Sequence, residues 1–110
     1  MKFQTHNDKE IATDGTYLFG DINARYSDLV ELLGEPFGSD GYKSDAEWEI
    51  EFEDGVVATI YNWKNGKNYC GANGLNVEDI TYWHIGAKSR QAVENIDKLL
   101  GQKALPDTLN

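Results

Sequence analysis

The clearest pattern in the chain is a strict alternation of apolar and acidic residues over positions 46–53, Ala-Glu-Trp-Glu-Ile-Glu-Phe-Glu. A period of two places successive side chains on opposite faces, so the segment predicts a strand that is buried on one face. Asp54 and Gly55 follow directly and suit the two left-handed positions of a type I′ turn. The pattern therefore predicts a β-hairpin whose second strand covers residues 56–63.

The two-residue turn fixes the pairing expected in this hairpin, with Trp48 opposite Tyr61 and Ile50 opposite Thr59. Six side chains are then expected to share the core face: Trp48, Ile50, Phe52, Val57, Tyr61 and Trp63. The opposite face of the first strand carries only glutamates: Glu47, Glu49, Glu51 and Glu53.

Two segments with apolar residues at helical spacing predict the helices. The first begins with Ser27 as its N-cap and ends at Gly34, and the second begins with Ser89 as its N-cap and ends at Gly101. Further strands are expected at residues 16–22, with Leu18 and Ile22 on one face and a bulge or close contact at Gly20, and at residues 80–85.

These elements predict an α+β fold in a single domain over residues 1–110. The expected architecture is a two-layer domain with a mostly antiparallel sheet of about four strands, covered by two helices. Residues 1–15 and 102–110 are expected to be loosely ordered, because they show no periodic pattern.

The charge of the chain is strongly negative and unevenly distributed. Nineteen acidic residues against ten basic residues give a net charge of -9. Residues 1–60 hold 14 acids and 4 bases, whereas residues 61–110 hold 5 acids and 6 bases. A surface of this kind repels phosphate backbones, so direct binding of nucleic acid is not expected.

Cysteine usage and hydropathy bear on the cellular compartment. Cys70 is the only cysteine, so no internal disulfide can form, and the chain begins with no basic and apolar leader. No apolar run approaches the roughly 20 residues that span a bilayer. These features predict a cytoplasmic protein without membrane contact.

The row of glutamates suggests a binding face for a basic partner. Alternate strand residues are about 6.6 to 6.8 Å apart, which resembles the spacing of charges along a nucleic-acid strand. Asp40, Asp45 and Asp54 flank the row. The alternative is that the glutamates simply form the solvent face of a half-buried sheet. The predicted partner-binding residues are Glu47, Glu49, Glu51, Glu53, Asp54 and Asp45.

A second candidate site is the loop of residues 64–76, which is rich in asparagine and glycine. Its lysines and the backbone amides near Gly66 and Gly71 could hold an anion or a nucleotide, or the loop could be only a wide hairpin connection. The candidate ligand-binding residues are Lys64, Lys67, Asn68, Tyr69, His84, Lys88 and Arg90.

Catalytic and metal chemistry find little support in the sequence. The soft metal ligands His6, Cys70 and His84 are scattered, and none of them forms a pair with zinc spacing. No catalytic residue, metal or cofactor is predicted, and the chain is expected not to be an enzyme.

Four segments carry a family resemblance: Tyr26 to Pro36, Trp48 to Gly55, Ile60 to Tyr69 and Tyr82 to Gly86. In these segments the chain resembles a group of small, mostly uncharacterised bacteriophage and prophage proteins. The resemblance implies a phage-encoded protein that is located in the cytoplasm of the host cell. Such a protein would act stoichiometrically against host machinery, for example as an anti-defence or anti-CRISPR-like inhibitor. It transfers no catalytic motif.

Together, the residues and the resemblance lead to one expected function and two alternatives. The expected function is inhibition of a host defence or nucleic-acid-processing protein, bound at a basic surface through the acidic and DNA-mimicking face. One alternative is a nucleotide-binding protein or sponge that uses the loop of residues 64–76. The other is a structural or assembly accessory of the phage particle.

Overall fold

A computed structural model describes residues 2–37 and 43–105 of the chain. The α+β fold is confirmed, with an antiparallel sheet of five strands and three short helices within these residues. The strands are β1 (Phe3–Thr5), β2 (Tyr17–Asn23), β3 (Glu47–Phe52), β4 (Val57–Tyr61) and β5 (Tyr82–Ala87), in the spatial order β1-β3-β4-β5-β2. The helices are α1 (Tyr26–Leu33), α2 (Lys67–Cys70) and α3 (Arg90–Leu100).

Helices α1 and α3 pack against one face of the sheet, here called the inner face, and form the hydrophobic core with it. The largest buried side chains of this core are Trp48 and Trp83, whose rings meet edge to face at 5.4 Å. Each indole N–H donates to a backbone carbonyl, that of Gly34 and that of Ala24 respectively. The core therefore satisfies both polar groups that its tryptophans bring into it.

The hairpin turn is one residue longer than predicted. Phe52 N–H donates to Val56 O, and Gly55 N–H donates to Phe52 O, so Glu53, Asp54 and Gly55 form a three-residue loop. Gly55 alone in this loop has a positive φ, of 84°. This is the hairpin with a type I turn followed by a left-handed glycine, rather than the predicted type I′ turn.

The longer turn shifts the predicted register by one residue. Trp48 lies opposite Ile60 rather than Tyr61, and Ile50 lies opposite Ala58 rather than Thr59. Because side chains alternate, a shift of one residue moves the whole second strand to the other face. The inner face of the hairpin therefore carries Trp48, Ile50, Phe52, Ala58 and Ile60, and the prediction that Val57, Tyr61 and Trp63 lie in the core is wrong.

The described segments near both chain ends form backbone hydrogen bonds with the sheet. Phe3–Thr5 forms β1 and pairs with Phe52–Ile50 of β3, so the N-terminal segment is not wholly irregular. Residues 6–16 then cross the other face of the sheet, here called the outer face, and bury Ile11. Near the other end, Leu105 N–H donates to Asn23 O. Residues 106–110 and the predicted Asp40 lie outside the described residues.

The smaller predictions for β2 and for the starts of the helices are confirmed in part. A bulge between Leu18 and Gly20 confirms the irregularity expected at that glycine, but it leaves Leu18 exposed while Ile22 is buried. Helix α1 begins at Tyr26 with Arg25 as its N-cap, so Ser27 is not the cap. Ser89 does occupy the N-cap position of α3, although its side chain forms no capping hydrogen bond.

Candidate functional site

The outer face of the sheet carries four of the thirteen predicted site residues: Glu47, Glu49, Glu51 and His84. Directly paired residues share a face, so one row across the sheet consists of Glu47, Tyr61, His84 and Asp21. Glu47, Glu49 and Glu51 all point to this face and are half-buried, which confirms the alternation of β3. The row of glutamates on the strand therefore has three members.

Two of the predicted acidic residues at the turn are positioned differently. Glu53 is exposed in the loop and accepts a hydrogen bond from the backbone N–H of Lys2. Asp54 accepts from the Asn95 side chain of α3 at 3.0 Å and from Val56 N–H. These hydrogen bonds hold the pKa of Asp54 below its ordinary value. Both residues lie beyond the last strand residue of the row.

The row is also partly compensated by a basic residue. Lys9, in the segment that crosses the outer face, places its Nζ 3.2 Å from the Glu51 carboxylate. The backbone N–H of His6 donates to Glu49 O. Of the three carboxylates in the row, that of Glu51 is therefore paired with a basic side chain of the same protein.

The loop of residues 64–76 is built around one buried side chain, that of Asn62. Its Oδ1 accepts from the backbone N–H groups of Asp45 and Ala46, at 2.7 and 3.0 Å. Its Nδ2 donates to Asp45 Oδ1 and Asn65 Oδ1. Every polar atom of this buried amide is therefore used to join the loop to the start of β3.

Asp45 occupies the place where the sequence predicts an external anion. Its Oδ2 accepts from the backbone N–H of Asn68 at 3.1 Å, and a Cβ on Gly66 would overlap its carboxylate. Asn68 Nδ2 is also engaged, with Ser44 O. Asp45 is therefore an internal partner of the loop rather than part of an open acidic face, and the loop amide it binds is not offered to a phosphate.

The remaining candidate ligand residues are divided between the two ends of β4. Lys64 lies over the Tyr69 ring at 5.4 Å, beyond the end of the strand, next to the exposed Lys67. Lys88 lies near Gly55 and Val57, at the start of β4. Arg90, two residues further along the chain, is the first residue of α3. The length of β4, about 13 Å, separates the two groups. The structure does not bring the seven residues together.

His84 lies between these groups on the outer face. Its ring is 5.6 Å from that of Tyr61 and 5.3 Å from that of Tyr82. Its buried Nδ1 has no hydrogen-bond partner among the described residues. Tyr82 in turn donates to Asp21 at 2.9 Å, and this bond is the main cause that raises the pKa of Tyr82.

A cavity of about 460 Å³ opens on the outer face beside Glu47. Its wall combines aromatic rings, hydroxyl groups and one carboxylate: Thr13, Thr16, Tyr17, Phe37, Ser44, Glu47, Thr59, Tyr61, Trp63 and Gly86. Burial, and secondly the charge of Glu47, raise the pKa of Tyr61. Sequence analysis did not find this site, because it assigned Tyr61 and Trp63 to the core.

Tests for two other kinds of site were negative. Residues 2–37 and 43–105 contain no group of three or more His, Cys, Asp or Glu side chains that could hold a metal ion. In the same part of the chain, none of the helices has the length and apolar character needed to traverse a bilayer.

The chain matches no protein-family model, and no curated protein resembles it significantly.

Proposed function

We propose that the protein is a non-enzymatic binding protein that attaches to a basic surface of a partner protein through the outer face of its sheet. The carrying observation is the composition of this face, where the three glutamates of β3 lie in one row and the first of them, Glu47, lines a cavity together with Tyr61 and Trp63. Helices α1 and α3 both pack on the inner face, so among the described residues only the segment of residues 6–16 crosses the outer face, and it leaves the three glutamates half-buried.

Charge and exposed apolar area both favour this face over others. The net charge of -9 attracts a basic partner during diffusional encounter. Trp63 and Leu18 are 41% and 59% exposed, and apolar and aromatic side chains that become buried on binding usually supply the binding energy of an interface. A face with carboxylates on one side and exposed aromatic rings on the other suits a basic protein surface better than a small anion.

The class of partner that we propose is the one expected from the sequence analysis. A host defence or nucleic-acid-processing protein has a basic surface that normally holds nucleic acid, and an acidic protein bound there would act as a stoichiometric inhibitor. The nucleotide-binding alternative is not favoured, because Asp45 takes the anion position of the loop. No observation favours the role of a phage assembly accessory.

The test is a pair of triple variants with identical net charge. One replaces Glu47, Glu49 and Glu51 with lysine, and the control replaces three exposed acids elsewhere: Glu78, Glu94 and Asp97. Three changes of +2 shift the charge from -9 to -3 in both. A partner captured with the unmodified protein should bind the control and fail to bind the outer-face variant.

Two further results would decide the inhibitory role. Duplex DNA should compete with the unmodified protein for the captured partner, and binding should weaken as salt screens the charges. Equal loss of binding in both variants would show that bulk charge alone is responsible. A partner that binds DNA and this protein simultaneously would contradict inhibition by occlusion.

A further inference from the structure

We propose that the cavity beside Glu47 is a socket for one arginine side chain of the partner protein. This inference rests on the proposed function, since it names the group that the outer face would recognise. It concerns a single cavity, however, and can be tested without the partner.

The lining of the cavity matches the chemistry of a guanidinium group. Within residues 2–37 and 43–105, Glu47 is the one carboxylate that lines the cavity, and it lies directly opposite Tyr61 across β3 and β4. Arginine forms paired hydrogen bonds with a carboxylate and stacks its flat group on aromatic faces. Among the described residues, four aromatic residues and four serine or threonine residues also line it: Tyr17, Phe37, Tyr61, Trp63, Thr13, Thr16, Ser44 and Thr59.

The size and the floor of the cavity also suit an inserted side chain. Its volume of about 460 Å³ lies in the range of cavities that hold small organic groups. The floor is formed where Thr59 pairs with Gly86, and a Cβ at position 86 would overlap the threonine hydroxyl. The glycine at this position therefore makes room for the Thr59 hydroxyl, which is one of the polar groups at the base of the cavity.

The electrostatics favour a cation at Glu47 and not at Trp63. Glu47 contributes to the raised pKa of Tyr61, so its negative charge acts within the cavity wall. Lys43 and Lys64 already lie over the Trp63 ring, at 5.3 and 6.0 Å. A third cation stacked on that ring would be repelled, so the guanidinium should sit against Glu47 and Tyr61.

The experiment uses the full-length protein and two probes of nearly equal shape, one with a positive charge and one without. N-acetyl-arginine methylamide carries the guanidinium, and N-acetyl-citrulline methylamide replaces it with a neutral urea. Titrations followed by NMR should shift the Tyr61 and Trp63 signals with the arginine probe, with at least tenfold weaker binding of the citrulline probe. Equal binding of both probes, or no shift at the cavity with arginine, would overturn the proposal.

Two matched variants locate the charge that is responsible. Glu47→Gln should lower the affinity for the arginine probe at least tenfold. Glu49→Gln is the control, because Glu49 is on the same strand and face but outside the cavity lining, and it should change the affinity less than twofold. Equal effects would show general attraction to the acidic surface. The citrulline comparison on the unmodified protein decides the question even if Glu47→Gln perturbs the fold.

A third variant separates arginine binding from nucleotide binding. Lys64→Gln removes a positive charge near Trp63, so it should raise the affinity for the arginine probe severalfold. The same variant should weaken binding of adenosine monophosphate, because this nucleotide is negatively charged. NMR shifts of the cavity residues with the nucleotide but not with the arginine probe would refute the socket. Failure of the socket leaves the charge-reversal test intact, because that test replaces Glu49 and Glu51 as well and measures capture of the partner.

Discussion

Glu47 and Tyr61 face each other across β3 and β4 on the outer face of the sheet. The predicted hairpin instead placed Tyr61 opposite Trp48, in the core. This one pairing moves an aromatic ring from the interior to the wall of a cavity and places it next to a carboxylate. The candidate site therefore depends on the length of the hairpin turn.

The register can be tested with two truncations on β4. Ile60 is fully buried on the inner face, so Ile60→Ala should lower the free energy of unfolding by about 2 to 5 kcal/mol. Val57 is half-buried on the outer face, so Val57→Ala should cost about 1 kcal/mol or less. Denaturant unfolding measures both, and equal costs would favour the register predicted from a two-residue turn.

The Asn62 side chain should be essential to the loop of residues 64–76. Asn62→Ala leaves the backbone N–H groups of Asp45 and Ala46 without their acceptor, which should cost about 1 to 3 kcal/mol. Asn76→Ala is the control, because that exposed asparagine forms only one side-chain hydrogen bond with the exposed Asp79. Amide hydrogen exchange should accelerate in residues 45 and 46 of the Asn62 variant alone.

The Tyr61 hydroxyl should report the charge of Glu47. Glu47→Gln should lower the pKa of Tyr61, and the pKa should stay above 10.0 because burial is the larger cause of its shift. Glu49→Gln should leave it unchanged. NMR of the Tyr61 ring between pH 8 and 12 measures the pKa, and the same response in both variants would contradict the pairing with Glu47.

Asp54 should link the stability of the hairpin turn to acid pH. Its pKa is lower in the folded protein than the ordinary value of 3.8, chiefly because Asn95 donates to it. The ionised form is therefore favoured by folding, so its contribution is complete above the unfolded pKa and is lost as pH falls through the folded pKa. Unfolding measured from pH 6 to pH 2 should show a steeper loss in the unmodified protein than in Asp54→Asn.

The sequence predicted one strand of the hairpin well and the other poorly, for a physical reason. Only one face of β3 is apolar, so its alternation permits a single orientation. β4 and the two residues after it carry large apolar groups on both faces, such as Ile60 and Tyr61, and a buried polar residue, Asn62. Periodicity could not orient such a strand, and Asp-Gly fits turns of two or three residues.

The candidate site was only partly predictable for a related reason. The glutamates of β3 were found because they form a regular local pattern, whereas the cavity brings together residues from distant segments, such as Thr13, Phe37 and Gly86. Asp45 shows the opposite case. Its acidic side chain suggested an exposed face, but hydrogen bonds to a loop more than 15 residues away give it an internal role.

The three residues of β1 determine which strand lies at the margin of the sheet. Because Phe3–Thr5 pairs with Phe52–Ile50, most backbone N–H and C=O groups on that side of β3 have a hydrogen-bond partner in β1. Without β1, the most regularly alternating strand of the chain would present an open ladder to other molecules. Such a strand is a template for self-association, so this short segment protects the protein against aggregation.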